Sequence, residues 1–586
     1  MKDRYLLRFR KPYSYFGQEL NSIHKSHKGK IKIAFVYPDL YEIGMCSLGF
    51  KILYHLMNDI PDVVAERVFA PLPDLEAYLR EKNIPLFTLE SHTPVKDFDI
   101  VMISIQTSLD YTNILNILDL SHIKIHKKDR DHPIVLAGGT SMYNPAPISS
   151  FIDFFSIGEG EYQIPKIIKT FREWDRKNKN DFLNAVSHIN GIYVPSIHNE
   201  NHKIVKDIVP DLNSSYVPLK PIVPFGKVVM DKANIEVFRG CTRGCRFCQA
   251  GIVYRPVREK SIERIKYEAE EILKNTGYEE LTFLSLSSSD YSHLDELIDL
   301  SKELIKKYHI SVSVPSLRID KFPVSLGKMI VSERVHSITF AIEAATERLR
   351  NVINKTINEE DIFNTVKTVA SLGFHTIKFY FIIGLPTETD QDILAIPTLV
   401  RRIYSFAKKY KTAKRPISIH LSINPFMPQP NTVFQWEKFD SLDNLQRKLD
   451  MIKNGLKGKQ FKINFTNFEM NYIETILERG DESLSKVIET AWRNGAKMDG
   501  WQESFDFSVW NNAFKVCGID PKPYVFSIPL DKALPWDAIS SGVSKDFLKR
   551  EYAKAMREET TEDCRNGKCK GCGITDYFVC PALQKH

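Results

Sequence analysis

Three thiols stand close together in one run, Phe238-Arg-Gly-Cys-Thr-Arg-Gly-Cys-Arg-Phe-Cys248, with Phe247 immediately before the last. Cysteine thiolates hold iron–sulfur clusters, usually four at a time. A tight loop offering only Cys241, Cys245 and Cys248 leaves one iron of a four-iron cluster open to a chelating ligand. The competing readings are a zinc knuckle and three buried thiols. Zinc sites pair one C-x₂₋₄-C with a distant second pair, and no such pair follows within about twenty residues. A second group, Cys564, Cys569, Cys572 and Cys580, has the spacing C-x₄-C-x₂-C…C. That spacing matches plant-type two-iron centres and is equally open to a structural zinc. Seven of the nine cysteines fall in these two groups, leaving Cys46 and Cys517 single. Such clustering fits metal-bound thiolates in a reducing compartment better than a disulfide framework.

The surrounding chain must hold these thiols in place. Its 586 residues exceed a single core and predict several domains. The formal charge of +7 is diluted over that length and selects no class of partner. Basic residues near 1–30, 400–415 and 445–462 fit solvated helix faces better than an RNA or phosphate contact. No apolar run is long enough to span a bilayer, and the charged start lacks a signal peptide's apolar stretch. A cytoplasmic location is the expectation.

Residues 1–29 read as an N-terminal extension. From Lys30 apolar runs at Ile31–Tyr37, Val64–Phe69, Ile100–Ile105, Pro133–Ala137 and Phe151–Ile157 alternate with helical stretches such as Leu48–Asn58 and Asp74–Lys82. That alternation predicts an α/β domain, doubly wound and Rossmann-like, over 30–190. Residues 191–231 read as a linker. Over 232–436 a second alternation, with strands at Asn234–Phe238, Glu280–Leu286, Ile310–Val314, Ser337–Ala341, Thr376–Ile383 and Ser418–Ile423, predicts a partial (β/α)6 barrel. The cysteine loop then follows the first barrel strand, at the mouth where such barrels do chemistry. Residues 437–586 read as mainly helical, with Trp492, Trp501, Trp510 and Trp536 in the core and a cysteine-rich tail.

The C-x₃-C-x₂-C loop resembles the hallmark of the radical S-adenosylmethionine superfamily. The resemblance implies that the open iron chelates S-adenosylmethionine and that an electron from the cluster cleaves it to methionine and a 5′-deoxyadenosyl radical. Several strand ends resemble the superfamily's contacts to that cofactor. Glu343 matches the acidic residue that meets the ribose. Gly384 and Pro386 stand where open backbone meets adenine. Ser287, Ser288, Ser289 and Asp290 replace the usual Gly-Gly-Glu segment that holds the methionine ammonium, and Arg318 is placed to meet the carboxylate or another anion.

The loops of the first domain are similar to those of cobalamin-binding domains, whose pattern is Asp-x-His-x-x-Gly, then Ser-x-Leu, then Gly-Gly. Here Asp39, Tyr41, Gly44, Ser104, Gly138 and Gly139 occupy those positions. Tyr41 replaces the histidine that would ligate cobalt, and Ser-x-Gln replaces Ser-x-Leu; the alternative is a Rossmann-like domain without cobalamin. Tyr-Pro-Asp-Leu-Tyr-Glu-Ile-Gly, the cysteine loop, Tyr380-Phe-Ile-Ile-Gly-Leu-Pro-Thr-Glu-Thr389, Leu-Pro-Trp-Asp and the tail cysteines together resemble one family of radical proteins with an N-terminal cobalamin-type domain. The resemblance implies an enzyme, a cobalamin-dependent methyl or related group transferase. Its implied partners are a reducing donor such as a flavodoxin or ferredoxin and a separate radical-enzyme-linked protein. Two alternatives stand beside it: a cobalamin-independent enzyme modifying RNA or a ribosomal component, and a non-catalytic iron–sulfur sensor or assembly factor.

Overall fold

The computed structural model describes residues 3–199, 201–226, 228–332, 336–565 and 567–581. The first two residues of the extension and the last five of the tail lie outside this set.

The first domain is a six-stranded sheet of β1 (Ile31–Tyr37), β2 (Val63–Phe69), β3 (Ile100–Ser104), β4 (Ile134–Gly138), β5 (Phe154–Ser156) and β6 (Ile192–Tyr193). Its order is β2-β1-β3-β4-β5-β6, parallel except for the β5–β6 pair. The strands read as continuous apolar runs because helices cover both faces. One face, with Ile33, Phe35, Met102 and Leu136, packs under helices Leu48–Asp59 and Gly160–Glu173. The other, with Ala34, Val36, Val101 and Ile103, joins a core that continues into the second domain. The sheet order reverses at β1/β3, and ligands of such sheets bind beyond the strand ends at that switch.

The stretch read as a linker is tied down at two points. β6 closes the first sheet, and β7 (Ile204–Val205) pairs with β17 (Ile539–Ser540) from the far end of the chain.

The second domain contains all six strands expected. β8 (Ala233–Glu236), β11 (Glu280–Leu284) and β12 (Ser311–Ser313) form a parallel sheet in the order β12-β11-β8. β13 (Ser337–Glu343), β14 (Thr376–Ile383) and β15 (Ser418–Pro425) form another, extended by a seventh strand, β16 (Phe461–Phe465). That strand lies in the region read as helical. Its alternation, Phe-Lys-Ile-Asn-Phe, was a legible strand signal, weakened by its half-exposed edge position. Between β8 and β11 lies a short antiparallel ribbon of β9 (Phe238–Arg239) and β10 (Arg258–Glu259).

The remaining chain is helical as expected, with Phe468–Arg479, Leu484–Arg493 and Phe507–Cys517 in the core that spans both domains and Lys545–Met556 packed on the second. The indole N–H groups of Trp536, Trp510 and Trp501 donate to Gln435, Asp499 and Asp39. Among the described residues no helix is long and apolar enough to cross a membrane.

Candidate active site

The chain reaches the first cysteine through Gly240, whose φ is +95°. A Cβ there would lie 2.6 Å from the carbonyl oxygens of Tyr254 and Pro256, so the turn needs glycine. The loop is then held from outside. The Asn354 side-chain amide donates to the carbonyls of Arg243 and Gly244, each at 3.2 Å. Buried Arg246 donates to the Asn351 and Val352 carbonyls at 3.0 Å and to Glu551 at 3.1 Å. Phe247 packs against the cluster that contains Ile252 and Leu349. Burial, and after it the neighbouring Cys245, pushes the Cys248 thiol up to about 12 and raises Cys241 as well. Three thiols in one another's field, in a place hostile to bare thiolates, call for a cationic group to balance them. Among the described residues no three His, Cys, Asp or Glu side chains converge on a single ion-sized point. A four-iron cluster offers each ligand a separate iron and asks for no such convergence. The donor set fits the cluster.

Glu343 ends β13 at a β-bulge, with a left-handed φ of +69°. Bulges re-aim side chains, and this one brings the carboxylate to 3.4 Å from Lys355 Nζ. Burial pushes the Glu343 carboxyl up, and Lys355 draws it partly back. Lys355 also lies in the field of Cys245 and Cys248, so Glu343 stands at the cysteine end of the barrel. Gly384, φ +79°, donates its N–H to Glu388 at 2.8 Å, and Lys448 holds Glu388 at 2.6 Å. Pro386 sits in the same turn, past the end of β14.

Two sequence expectations change here. Asp290 does not offer a free carboxylate for an ammonium group. It takes the fork of Arg243, with Nε at 2.7 Å, the Ser287 hydroxyl at 2.6 Å, and lies 3.6 Å from Arg565. It anchors the cysteine loop. Ser288 donates to the Pro315 carbonyl, and the Ser289 hydroxyl accepts from the Arg318 N–H. The Arg318 guanidinium forks onto Asp320, both contacts at 2.9 Å, and is not free to meet an anion. These contacts depend on a tail residue and on a turn after β12, neither predictable from local spacing.

A cavity of about 440 Å³ opens where the C-terminal ends of the two sheets face each other. Ser104, Gly138 and Gly139 line it as expected, with Thr140 and Ser156 beside them. Its apolar depth runs between Phe35, Met102 and Leu136 of the sheet and Phe50, Leu53 and Ile164 of the covering helices. The second domain contributes Glu236, Arg239, Gly240, Tyr254 and Ser285. Gly49 also lines the cavity, and a Cβ there would meet nothing within 4 Å. A polar mouth, an apolar slot and a glycine facing open space fit a large cofactor with a tail, as cobalamin has.

Asp39, Tyr41 and Gly44 do not line this cavity, which corrects the sequence expectation. The Tyr41 hydroxyl donates to Glu19 at 2.8 Å, Asp39 accepts from Trp501, and a Cβ on Gly44 would lie 2.2 Å from Phe69. The extension and the C-terminal region cover that loop, and Ser47, Leu48 and Gly49 supply the first-strand contribution instead.

The sequence reading missed Arg239. Its guanidinium reaches Glu159 at 2.7 Å, Glu161 at 3.0 Å and Glu236 at 2.8 Å, joining the two domains along the cavity wall. Arg258 forks onto the same Glu159 at 2.7 and 2.8 Å. The signal was an arginine two residues before the first cysteine, with Glu159 and Glu161 in the Gly-Glu-Gly-Glu run that closes the last strand of the first domain.

Cys564, Cys569, Cys572 and Cys580 all line one small cavity of about 40 Å³, walled on one side by Thr242, Arg243 and Gly244 of the cysteine loop. Burial pushes the Cys564 thiol up to about 11, and Arg255 pulls it back. Arg255 acts on Cys241 in the same sense, so the two thiol groups share one guanidinium.

Residues 49–195 match the family described as radical SAM proteins, N-terminal, and residues 235–400 match the radical SAM superfamily. An uncharacterized protein of Methanocaldococcus jannaschii is 29% identical over 82% of this chain and 98% of its own length. An uncharacterized methyltransferase of Pyrococcus horikoshii is 25% identical, covering 52% of this chain and 65% of that protein. A tRNA-2-methylthio-N(6)-dimethylallyladenosine synthase of Thermoanaerobacter pseudethanolicus is 26% identical, covering 54% and 66%. Among solved structures, the radical S-adenosylmethionine methyltransferase TsrM from Kitasatospora setae, with cobalamin and a [4Fe-4S] cluster bound, is 10% identical, covers 83% of this chain and 100% of that chain, and has a TM-score of 0.49. The cobalamin-dependent radical enzyme OxsB is 12% identical, covers 95% and 83%, and has a TM-score of 0.49.

Proposed function

We propose, from the premise that this chain belongs to the radical SAM superfamily and is a radical SAM enzyme, that it is a cobalamin-dependent methyl or related group transferase. The observation that carries this reading is the shared cavity. It joins the loops beyond the first sheet's switch point to the strand ends that lead into the cysteine loop.

This reading gives each residue a role. Cys241, Cys245 and Cys248 hold the cluster, with Asn354, Arg246 and the Arg243–Asp290 fork fixing their loop. Glu343, oriented by the bulge and by Lys355, meets S-adenosylmethionine, with the Gly384–Pro386 turn beside it. Ser47–Gly49, Ser104, Gly138 and Gly139 hold cobalamin, and the slot past Phe35 and Leu136 takes its tail. Arg239 closes the wall between the two cofactors' sites and keeps bulk water out. When bound, the cofactors supply a reducing electron, a radical precursor and a transferable methyl group, chemistry that side chains alone cannot provide. The tail cysteines hold a second metal centre, iron–sulfur or zinc. A low-potential flavodoxin or ferredoxin is the reductant class, and the cytoplasm is the location that fits metal-bound thiolates kept reduced. The methyltransferase and methylthio names of the relatives support transfer of a one-carbon or thiomethyl group.

The test is metal analysis and turnover on anaerobically reconstituted protein. Expected are iron, cobalt and 5′-deoxyadenosine formed from S-adenosylmethionine with a chemical reductant. The Cys241/Cys245/Cys248→Ala variant should lose one cluster's iron and all cleavage while retaining cobalt. Cleavage by that variant sinks the radical assignment. A wild type that cleaves but never retains cobalt sinks the cobalamin part and favours the RNA-modifying alternative.

A further inference from the structure

The four-stranded barrel sheet has one face turned to helices and one turned away from them. Ile377, Phe379 and Phe381 of β14, and Ile419, Leu421 and Ile423 of β15, pack outward into the core. Their alternates face inward, and the register aligns those alternates in rows. At the cysteine end stands Glu343. Next come Ala341, Tyr380, Ser422 and Asn464, and below them Thr339, Lys378, His420 and Lys462. The inner face is open, since Tyr380 keeps 41% exposure in a central strand.

That lower row sets three basic groups directly opposite one another on adjacent strands. Burial lowers the His420 pKa, and Lys462 and Lys378 lower it further. Lys378 and Lys462 flank His420 on its two neighbouring strands, and no carboxylate pairs with either lysine among the described residues. His420 has one hydrogen bond, to Ser418 at 3.1 Å. The row thus offers an anion two ammonium groups without a carboxylate partner, with an imidazole between them.

We infer that the row Lys378–His420–Lys462 binds a phosphate group of the substrate. Thr339 lies four residues before Glu343, about 13 Å down a strand. An elongated phosphorylated molecule seated on this row would present its far end to the cysteine end of the barrel, past Tyr380. Ammonium groups are point charges on flexible stems, suited to phosphate oxygens from several directions. The inference rests on the proposed radical chemistry only for which end of the substrate reacts.

The experiment is calorimetric titration of the reconstituted protein with inorganic pyrophosphate, with malonate as comparison. Wild type should bind pyrophosphate more tightly than malonate. Lys378→Gln with Lys462→Gln should weaken pyrophosphate by about tenfold for each cation removed. Lys408→Gln with Lys409→Gln, on the exposed outer helix, should leave it unchanged. Uncoupled 5′-deoxyadenosine formation in the Lys408/Lys409 variant should match wild type. Equal pyrophosphate affinity in the Lys378/Lys462 variant, an equal loss in the Lys408/Lys409 variant, or malonate binding as tightly as pyrophosphate overturns the inference. If wild type cleaves no S-adenosylmethionine but the row still binds pyrophosphate, the proposed function fails and the anion site stands.

Discussion

Replacing Arg239 with methionine tests the joint between the two domains. The wild-type network holds three carboxylates, Glu159, Glu161 and Glu236, against two guanidinium groups, Arg239 and Arg258. Arg258 pairs with Glu159 alone, so the substitution strips Glu161 and Glu236 of their cation and leaves two negative charges in excess. Arg239 is 12% exposed and the carboxylates 7–20%, so water compensates little. Removing one partner of a buried pair costs about 3–5 kcal/mol. The pH dependence fixes the cause. Burial already raises the Glu161 pKa in the presence of Arg239, and losing the guanidinium raises it further and lifts Glu159, which Arg239 helps to hold down. Folded variant then binds protons that unfolded chain does not, between pH 8 and pH 5. Its deficit should be largest at pH 8 and shrink toward pH 5. The assay is urea denaturation of wild type and variant across that range, with cobalt content measured alongside. A deficit below about 1 kcal/mol at pH 8, or one that does not narrow on acidification, refutes the argument.

Asn354→Leu removes an amide that donates to the Arg243, Gly244 and Thr561 carbonyls and accepts from the Thr561 N–H at 2.7 Å. It should cost about 2–3 kcal/mol and lower metal retention at both cysteine groups, read from the iron and zinc content of reconstituted protein. Glu478 is buried beside Glu474, and burial first, then Glu474, pushes its carboxyl up to about 8. The folded state therefore binds a proton that the unfolded state releases, and stability falls as pH rises from about 5 to 8. Glu478→Gln should flatten that decline in melting curves and raise the melting temperature at pH 8 more than at pH 5.

Much of the frame was legible from residue order. The cysteine spacing, the two β/α alternations, Gly138-Gly139 and the six barrel strands each depend on neighbours in sequence, and each stands where its local pattern required. What local pattern could not convey was competition for the same atoms. Asp290 and Arg318 have the right residue types for binding S-adenosylmethionine, yet Arg243, Arg565 and Asp320 reach them first. Tyr41 and Asp39 follow the right strand, yet residues 19 and 501 cover them. These outcomes are decided by which distant side chains arrive at a strand end. Chain order by itself determined that three thiols share a loop and that parallel strands lead to it. Only tertiary packing decided that the two sheets point their carboxyl ends at one cavity, that the tail thiols sit against the cysteine loop, and that three basic residues align in one row. Each of those depends on strand register and domain contact, set by burial over long separations rather than by any local preference.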